Sequence, residues 1–398
     1  MTMVSDRILN MAESATLAMA AKAREYKAKG IEVISLSLGE PDFKTPKHIQ
    51  EGAKAAIDEQ KYFAYPPVNG YADVRQAISD KFKRDNGLDY AADQIVISNG
   101  AKQSIANVMM ALLNGGDEVV VFSPFWVSYS ALIELAGGTP VYVKGGIESD
   151  FKVTPAQLAA AITDKTKAII YSSPCNPTGS VFTKEELTAL AEVIKQHDDV
   201  VVIADEIYEL INYTGAHASM GAIEGMQDRT VTVNGMAKGF AMTGWRVGYI
   251  GAPTWLAKAC NKIQGQFTSA NCGIAQRAAY TALTSDLGPS HEMAAEYLRR
   301  RGLVKELLDS IPGVKTNLPQ GAFYFFPDVS AYFGKTDGET TINNASDLCM
   351  YILDNAHVSL VTGEAFGDPN CVRLSYAASE EDLREAVRRI KETLSKLS

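Results

Sequence analysis

"KAIIYSSPCNPTGSVFTKEELTALAEVIKQHDDVVVIADEIYE", residues 167–209, decides the fold. It opens on a short β-rich apolar run, "KAIIYS" (167–172), and closes on another, "VVVIA" (200–204). Between them, "KEELTALAEVIKQH" (184–197) has helical character. Strands that are apolar throughout suit a sheet covered on both faces, and helices between them suit parallel pairing. The pattern repeats outward. "QIVIS" (94–98), "EVVVF" (118–122), "TPVYV" (139–143), "TVTV" (230–233) and "RVGYIG" (246–251) read as further strands, most of them separated by helical stretches. The expected class is α/β, with a mostly parallel seven-stranded sheet flanked by helices.

Past about residue 290 the tone changes. A charged helix, "MAAEYLRRRGLVKELLDS", leads to "GAFYFFPDV", another helix, "CVRLSYA" and a final helix over 379–397. Residues 1–45 plus 290–398 are expected to form a smaller α+β domain beside a large domain, 46–289. The chain has 398 residues, 46% of them apolar, enough for more than one domain. Its N-terminal stretch reads as an amphipathic helix and lacks the basic start and long apolar run of a signal peptide. A net charge of −9 and a pI near 5.2 offer no basic stripe to nucleic acid. No apolar run reaches membrane-spanning length. Five scattered cysteines suit the reduced thiols of a cytoplasmic protein, and no Cys/His spacing suggests a metal.

In open α/β sheets, ligands sit at the carboxyl ends of strands. After "QIVIS" comes Asn99-Gly100-Ala101-Lys102. After "EVVVF" comes Ser123-Pro124-Phe125-Trp126. "SPCNPTG" (173–179) follows "KAIIYS", Asp205 and Tyr208 follow "VVVIA", and "TVTV" leads to Lys238. Five strand ends would converge on one rim. Nucleotide readings fail: Gly239 and Gly244 are followed by Trp245-Arg246, "FGKT" (333–336) has Val329 at the first glycine position, and no G-x-G-x-x-G follows a strand.

Each rim residue has two readings. "SNGAKQS" is either a plain glycine turn or a helix N-terminus open to an anion. Arg246 either grips that anion or makes a structural ion pair. Asp205 needs a cation or strong donor, or else caps a following helix. Asn176 could serve its turn alone, Tyr208 could be half-buried packing, and Trp126 could be core. Lys238, in an apolar glycine-rich loop, has a depressed pKa from desolvation and a neighbouring arginine, and a neutral amine attacks aldehydes. A phosphate site, a buried carboxylate and a reactive lysine together describe pyridoxal 5'-phosphate.

"SLGEPDF" (37–43), "SPCNPTG" (173–179), "ADEIYE" (204–209), "AKGFAMTGWRVGY" (237–249) and "VRLSYA" (372–377) resemble, in order, motifs of the class I aminotransferases of fold type I. The likeness runs over nearly the whole chain. It implies that Lys238 bonds the cofactor's aldehyde and moves the proton at the substrate α-carbon. It implies that Asp205 pairs with the ring nitrogen, Asn176 and Tyr208 bind the phenolic oxygen, and Trp126 stacks on the ring. Gly100, Ala101 and Arg246 would hold the phosphate, with Tyr65 reaching it from a second subunit of a homodimer. Arg373 and the Gly39 backbone would take the substrate α-carboxylate. One departure stands out: many relatives carry a serine three residues before the lysine, where this chain has Gly235.

The resemblance narrows to a bacterial subgroup with a lysine past the phosphate loop and small hydroxyl residues near the N-terminus. Lys102, Ser14 and Thr16 match it, although Lys102 also reads as a solvated first-turn lysine. The expected substrates are therefore amino acids and 2-oxo acids: aspartate with 2-oxoglutarate first, prephenate or a broader aromatic and alanine range as alternatives. A carbon–sulfur lyase on the same fold begins from the same chemistry. A DNA-binding regulator would need an extra module, and only about 30 residues precede "IEVISLSLGEPDF".

Overall fold

The computed structural model describes residues 3–9, 11 and 13–398. Its strands follow the apolar runs. β1 (Ile34–Ser35) comes first, then β2 (Ile95–Asn99), β3 (Glu118–Ser123), β4 (Thr139–Lys144) and β5 (Thr166–Ser172). β6 (Val201–Asp205), β7 (Thr230–Gly235) and β8 (Val247–Gly251) complete the main sheet. Its order is β2-β8-β7-β6-β5-β3-β4. Only β8 runs against its neighbours, β2 and β7. The other six strands thus send their carboxyl ends to one edge, while β8 begins there. Arg246, read from sequence as strand, instead lies just before β8 in a left-handed conformation with φ 57°. The strand starts one residue later than expected.

Strand alternation builds a core on each face. Val119, Val121, Ile170 and Ile203 pack with Val108, Ile133 and Leu256 from the helices Ala101–Leu112, Ser128–Leu135 and Thr254–Phe267. Val120, Phe122, Ile169 and Val202 pack with Leu187 and Leu190 on the opposite side. Those leucines belong to the helix Lys184–Ile194, whose start is fixed by the Thr183/Glu186 capping box.

A separate core unites β9 (Tyr324–Phe325), β10 (Val358–Ser359) and β12 (Val372–Ser375) with the helices Gly288–Asp309, Ala345–Ala356 and Glu380–Leu394. β11 (Val361–Thr362) joins β12 and β9 in a three-stranded sheet, and β1 pairs with β10. The last helix buries Leu383, Ala386, Val387, Ile390 and Leu394, an apolar stripe at helical spacing. The turn after β6 contributes Tyr208 and Ile211 to this separate core. The N-terminal stretch gives a helix over Ala15–Ala28, seated on the helix Ala345–Ala356 through Ala23, Val33 and Leu353. Positions 1, 2, 10 and 12 of that stretch lie outside the described residues. No helix among the described residues is long and apolar enough to cross a membrane.

Candidate active site

At the carboxyl edge, residues from both cores line a cavity of about 370 Å³. Asp205 closes β6, the central strand of the sheet. It is buried, and burial pushes its carboxyl up to about 6. The Tyr129 hydroxyl opposes this by donating to Oδ2 at 2.6 Å, and the Ile207 amide donates to Oδ1 at 3.3 Å. The Ile207 bond caps a turn; no helix begins at Asp205. No cation among the described residues pairs with this carboxylate, so it faces the cavity as an acceptor awaiting one.

Lys238 follows β7 and half-buries its side chain against the cavity wall. Its amine donates to the Gly39 carbonyl and lies 5.6 Å from the Tyr208 ring centroid. Desolvation lowers it to about 8, helped next by the Arg373 guanidinium and opposed by Glu40. Arg246 adds a smaller push in the same direction, so the arginine that matters most is the one distant in sequence.

Arg373 is 2% exposed and has no carboxylate partner among the described residues. Nη1 donates to Asn176 Oδ1 at 3.0 Å and Nη2 to the Ser37 carbonyl at 2.5 Å, while Nε has no partner. It lies between Tyr324 and Phe366, 4.8 and 4.7 Å from their ring centroids. A buried guanidinium without a counter-ion is costly, and a planar carboxylate relieves that cost bidentately.

An anion corner forms at the helix Ala101–Leu112. Gly100 precedes it at φ 86° with no side-chain cap. Arg246 lies over Gly100: a Cβ there would fall 2.3 Å from Arg246 Nη2. Arg246 donates to the Thr243 and Asn99 carbonyls at 2.9 and 3.2 Å. The corner also explains Gly235. That residue pairs with Gly248 across β7 and β8, and a Cβ on it would meet the Val247 carbonyl oxygen at 2.8 Å. Gly248 in turn has the Ala101 amide against it, 2.1 Å from where its own Cβ would be. No serine fits at position 235 without moving backbone.

Twelve of the residues singled out from sequence therefore line one cavity: Ser14, Thr16, Gly39, Ala101, Lys102, Trp126, Asn176, Asp205, Tyr208, Lys238, Arg246 and Arg373. Gly100 sits beneath Arg246. Tyr65 does not line the cavity of its own chain and is 94% exposed. Lys102 stands 5.0 Å over the Trp126 ring, with its amine lowered by burial and by Arg246. Sequence reasoning missed Tyr129 and Tyr324, whose hydroxyl bonds Tyr208 at 2.7 Å. It also missed a buried cluster of Glu206, Glu209 and His217, in which Lys81 pairs with Glu209. Lys81 already supplies that cluster with a cation.

The sequence model of the family "Aminotransferase class I and II" matches residues 31–390. The chain belongs to the class I and II aminotransferases. This aminotransferase is 46% identical over 396 residues to a bifunctional aspartate aminotransferase and glutamate/aspartate-prephenate aminotransferase of Petunia hybrida, covering 98% of this chain and 82% of the relative. It is 40% identical to an aspartate aminotransferase of Bacillus subtilis, covering 99% and 100%. Among solved structures, it superposes on an aspartate aminotransferase from Rhizobium meliloti with a TM-score of 0.96 and 39% identity, both chains covered in full. The Thermus thermophilus aspartate aminotransferase with maleate gives 0.93 and 40%, covering 99% and 100%. Members of the family use pyridoxal 5'-phosphate. The donor set suits that cofactor: an uncapped helix end with an arginine, a buried carboxylate without a paired cation among the described residues, and a lysine lowered toward neutrality.

Proposed function

We propose that this aminotransferase moves an amino group between L-aspartate and 2-oxoglutarate, giving oxaloacetate and L-glutamate, in two half-reactions at one site. The observation that carries the reading is Arg373, a buried guanidinium with no counter-ion among the described residues, in the same cavity as the Lys238 amine. Pyridoxal 5'-phosphate, when bound, supplies an aldehyde that takes up the amino group and a ring that draws electrons from the α-carbon. The chain's residues do the rest. Gly100, Ala101 and Arg246 hold the phosphate. Asp205 stays ionised beside the ring nitrogen and keeps its proton in place. Asn176 and Tyr208 donate to the phenolic oxygen, and Trp126 covers the ring. Arg373 and the Gly39 backbone orient the substrate by its α-carboxylate. Lys238 Nζ, lowered to about 8, would take the proton from the substrate α-carbon in its neutral form.

Lys102 and Thr16 take the distal carboxylate. Relatives named for aspartate, and one solved with the four-carbon dicarboxylate maleate, support this. The same pair would bind the second carboxylate of prephenate, the alternative that the Petunia hybrida relative's name favours. We further propose a cytoplasmic homodimer in which Tyr65 completes the neighbouring phosphate site. Tyr65, Phe63 and Phe267 are all exposed aromatic side chains suited to a subunit contact. Residues 1–45 with 290–398 would then be the smaller domain that closes over the site carried by 46–289.

The test is incubation with aspartate and 2-oxoglutarate. Glutamate formation supports the reading, whereas ammonia and pyruvate-type products would assign a lyase. Lys238→Ala should abolish turnover yet still take up cofactor. Substantial activity in that variant rejects the role given to Lys238.

A further inference from the structure

The segment Ser37–Phe43 lies against the site with its backbone. The Ser37 carbonyl accepts from Arg373, and the Gly39 carbonyl accepts from Lys238. Gly39 approaches Tyr324 so closely that a Cβ would fall 2.3 Å from its hydroxyl. The segment is anchored on its N-terminal side, where the Leu36 carbonyl accepts from the Ser375 amide at 2.9 Å. Its other anchor is a side-chain knot. Arg300, in the helix Gly288–Asp309, is 7% exposed and donates from Nη1 to both Asp42 oxygens, at 2.9 and 2.8 Å. Tyr297 adds a hydroxyl to Asp42 Oδ1 at 3.3 Å. Arg300 also stacks over Phe43, 5.4 Å from its centroid, and Phe43 meets Tyr297 edge-on. Arg300 Nε is held by Glu296 at 2.9 Å, which fixes the guanidinium plane.

We propose that Arg300 is a positioning residue for substrate binding: by clamping Asp42, it fixes the Ser37–Glu40 backbone that shares the substrate carboxylate with Arg373. The proposal rests on the reading above that Arg373 and Gly39 receive a carboxylate. Arg300 itself does not line the cavity and touches no reacting group. Its action is geometric. Asp42 is three residues from Gly39, so a slack Asp42 lets the Gly39 and Ser37 backbone drift by a fraction of an ångström or more. Drift of that size weakens a bidentate carboxylate grip, because charge-assisted hydrogen bonds depend on distance and alignment. The phosphate corner, Asp205 and Asn176 come from other elements and are left in place.

The experiment compares wild type, Arg300→Met, Asp42→Asn and the double variant, each loaded with pyridoxal 5'-phosphate. Arg300→Met and Asp42→Asn should raise KM for aspartate and for 2-oxoglutarate by about tenfold, with kcat and the cofactor Kd held within about twofold. The double variant should be no worse than Arg300→Met, because both changes break one link. Asp42→Asn leaves the Arg300–Glu296 contact and the apolar core intact, so it stands alone if Arg300→Met fails to fold. Unchanged KM in Asp42→Asn, effects that multiply in the double variant, or equal losses in kcat and cofactor affinity would overturn the proposal. A wild type that binds no cofactor or moves no amino group would defeat the functional reading first, and this inference with it.

Discussion

Replacing Tyr129 with phenylalanine removes one hydroxyl and little else. That hydroxyl donates at 2.6 Å to a fully buried carboxylate, Asp205. A hydrogen bond to a charged group contributes about 1.5–3 kcal/mol. At 1.36 kcal/mol per pKa unit, its loss moves Asp205 up by about one to two units. The carboxyl, now near 6, would then titrate at about 7 to 8. Binding of a cationic ring nitrogen needs Asp205 ionised, so affinity is full above the Asp205 pKa and lost as pH falls through it. The measurement is pyridoxal 5'-phosphate affinity against pH in a Lys238→Ala background, where no covalent link masks the ion pair. Loss of the Lys238 ammonium raises Asp205 in both proteins alike, so the comparison between them is what counts. Tyr129→Phe should shift the acid limb upward by about one to two units and weaken binding near neutral pH by about two- to tenfold. An unmoved limb, or one moved down, would show that Tyr129 does not hold Asp205 in its charged form.

Other consequences are equally open to measurement. Asp205 has a folded pKa raised from 3.8 to about 6, so its contribution to stability is complete below the unfolded value and declines as pH rises through the folded one. Cofactor-free Asp205→Asn should thus be more stable than wild type at neutral pH by about 3 kcal/mol in urea melts, with the gap closing toward pH 4, while its cofactor affinity collapses. A less stable variant would contradict the burial argument. Lys102→Ala should lower kcat/KM for aspartate by about tenfold relative to alanine, the low end for a charged hydrogen bond because much of the Lys102 side chain stays in solvent although its amine is partly desolvated. Equal losses for both amino acids would remove Lys102 from the distal grip. Gly235→Ser should destabilise the protein by about 1–3 kcal/mol, toward the upper end because the obstructing atoms are backbone. A neutral effect would mean that β7 and β8 move apart easily.

The sheet was legible in the sequence because parallel strands buried on both faces leave unbroken apolar runs, such as Val200–Ala204. The direction of β8 was not. "RVGYIG" looks alike whichever way it pairs, and only register against β2 and β7 reverses it. Asp205, Asn176 and Lys238 were readable because each is polar or charged where an apolar strand gives out. Tyr129 and Arg300 were not readable, since a tyrosine or an arginine on a helix carries no sign of its distant partner. Tyr129 meets Asp205, and Arg300 meets Asp42, across long stretches of chain. Gly235 shows the converse. Set against the serine that many relatives carry there it looked like a mere departure, whereas the packing of Gly100, Gly235 and Gly248 makes it a condition of bringing a helix end onto the sheet.

The reversed strand also orders events in time. Because β7 and β8 form a hairpin, the lysine and the arginine at the two ends of its connection are brought together by local closure, which is fast. Asp205 ends β6 and the Gly100 turn follows β2, the two strands that flank this hairpin in the sheet. Arg373 arrives on β12, far later in the chain and in the other core. A growing chain therefore has every residue of the cofactor side of the site synthesised before Arg373 emerges. Stopped-flow refolding should show cofactor capture running ahead of dicarboxylate binding.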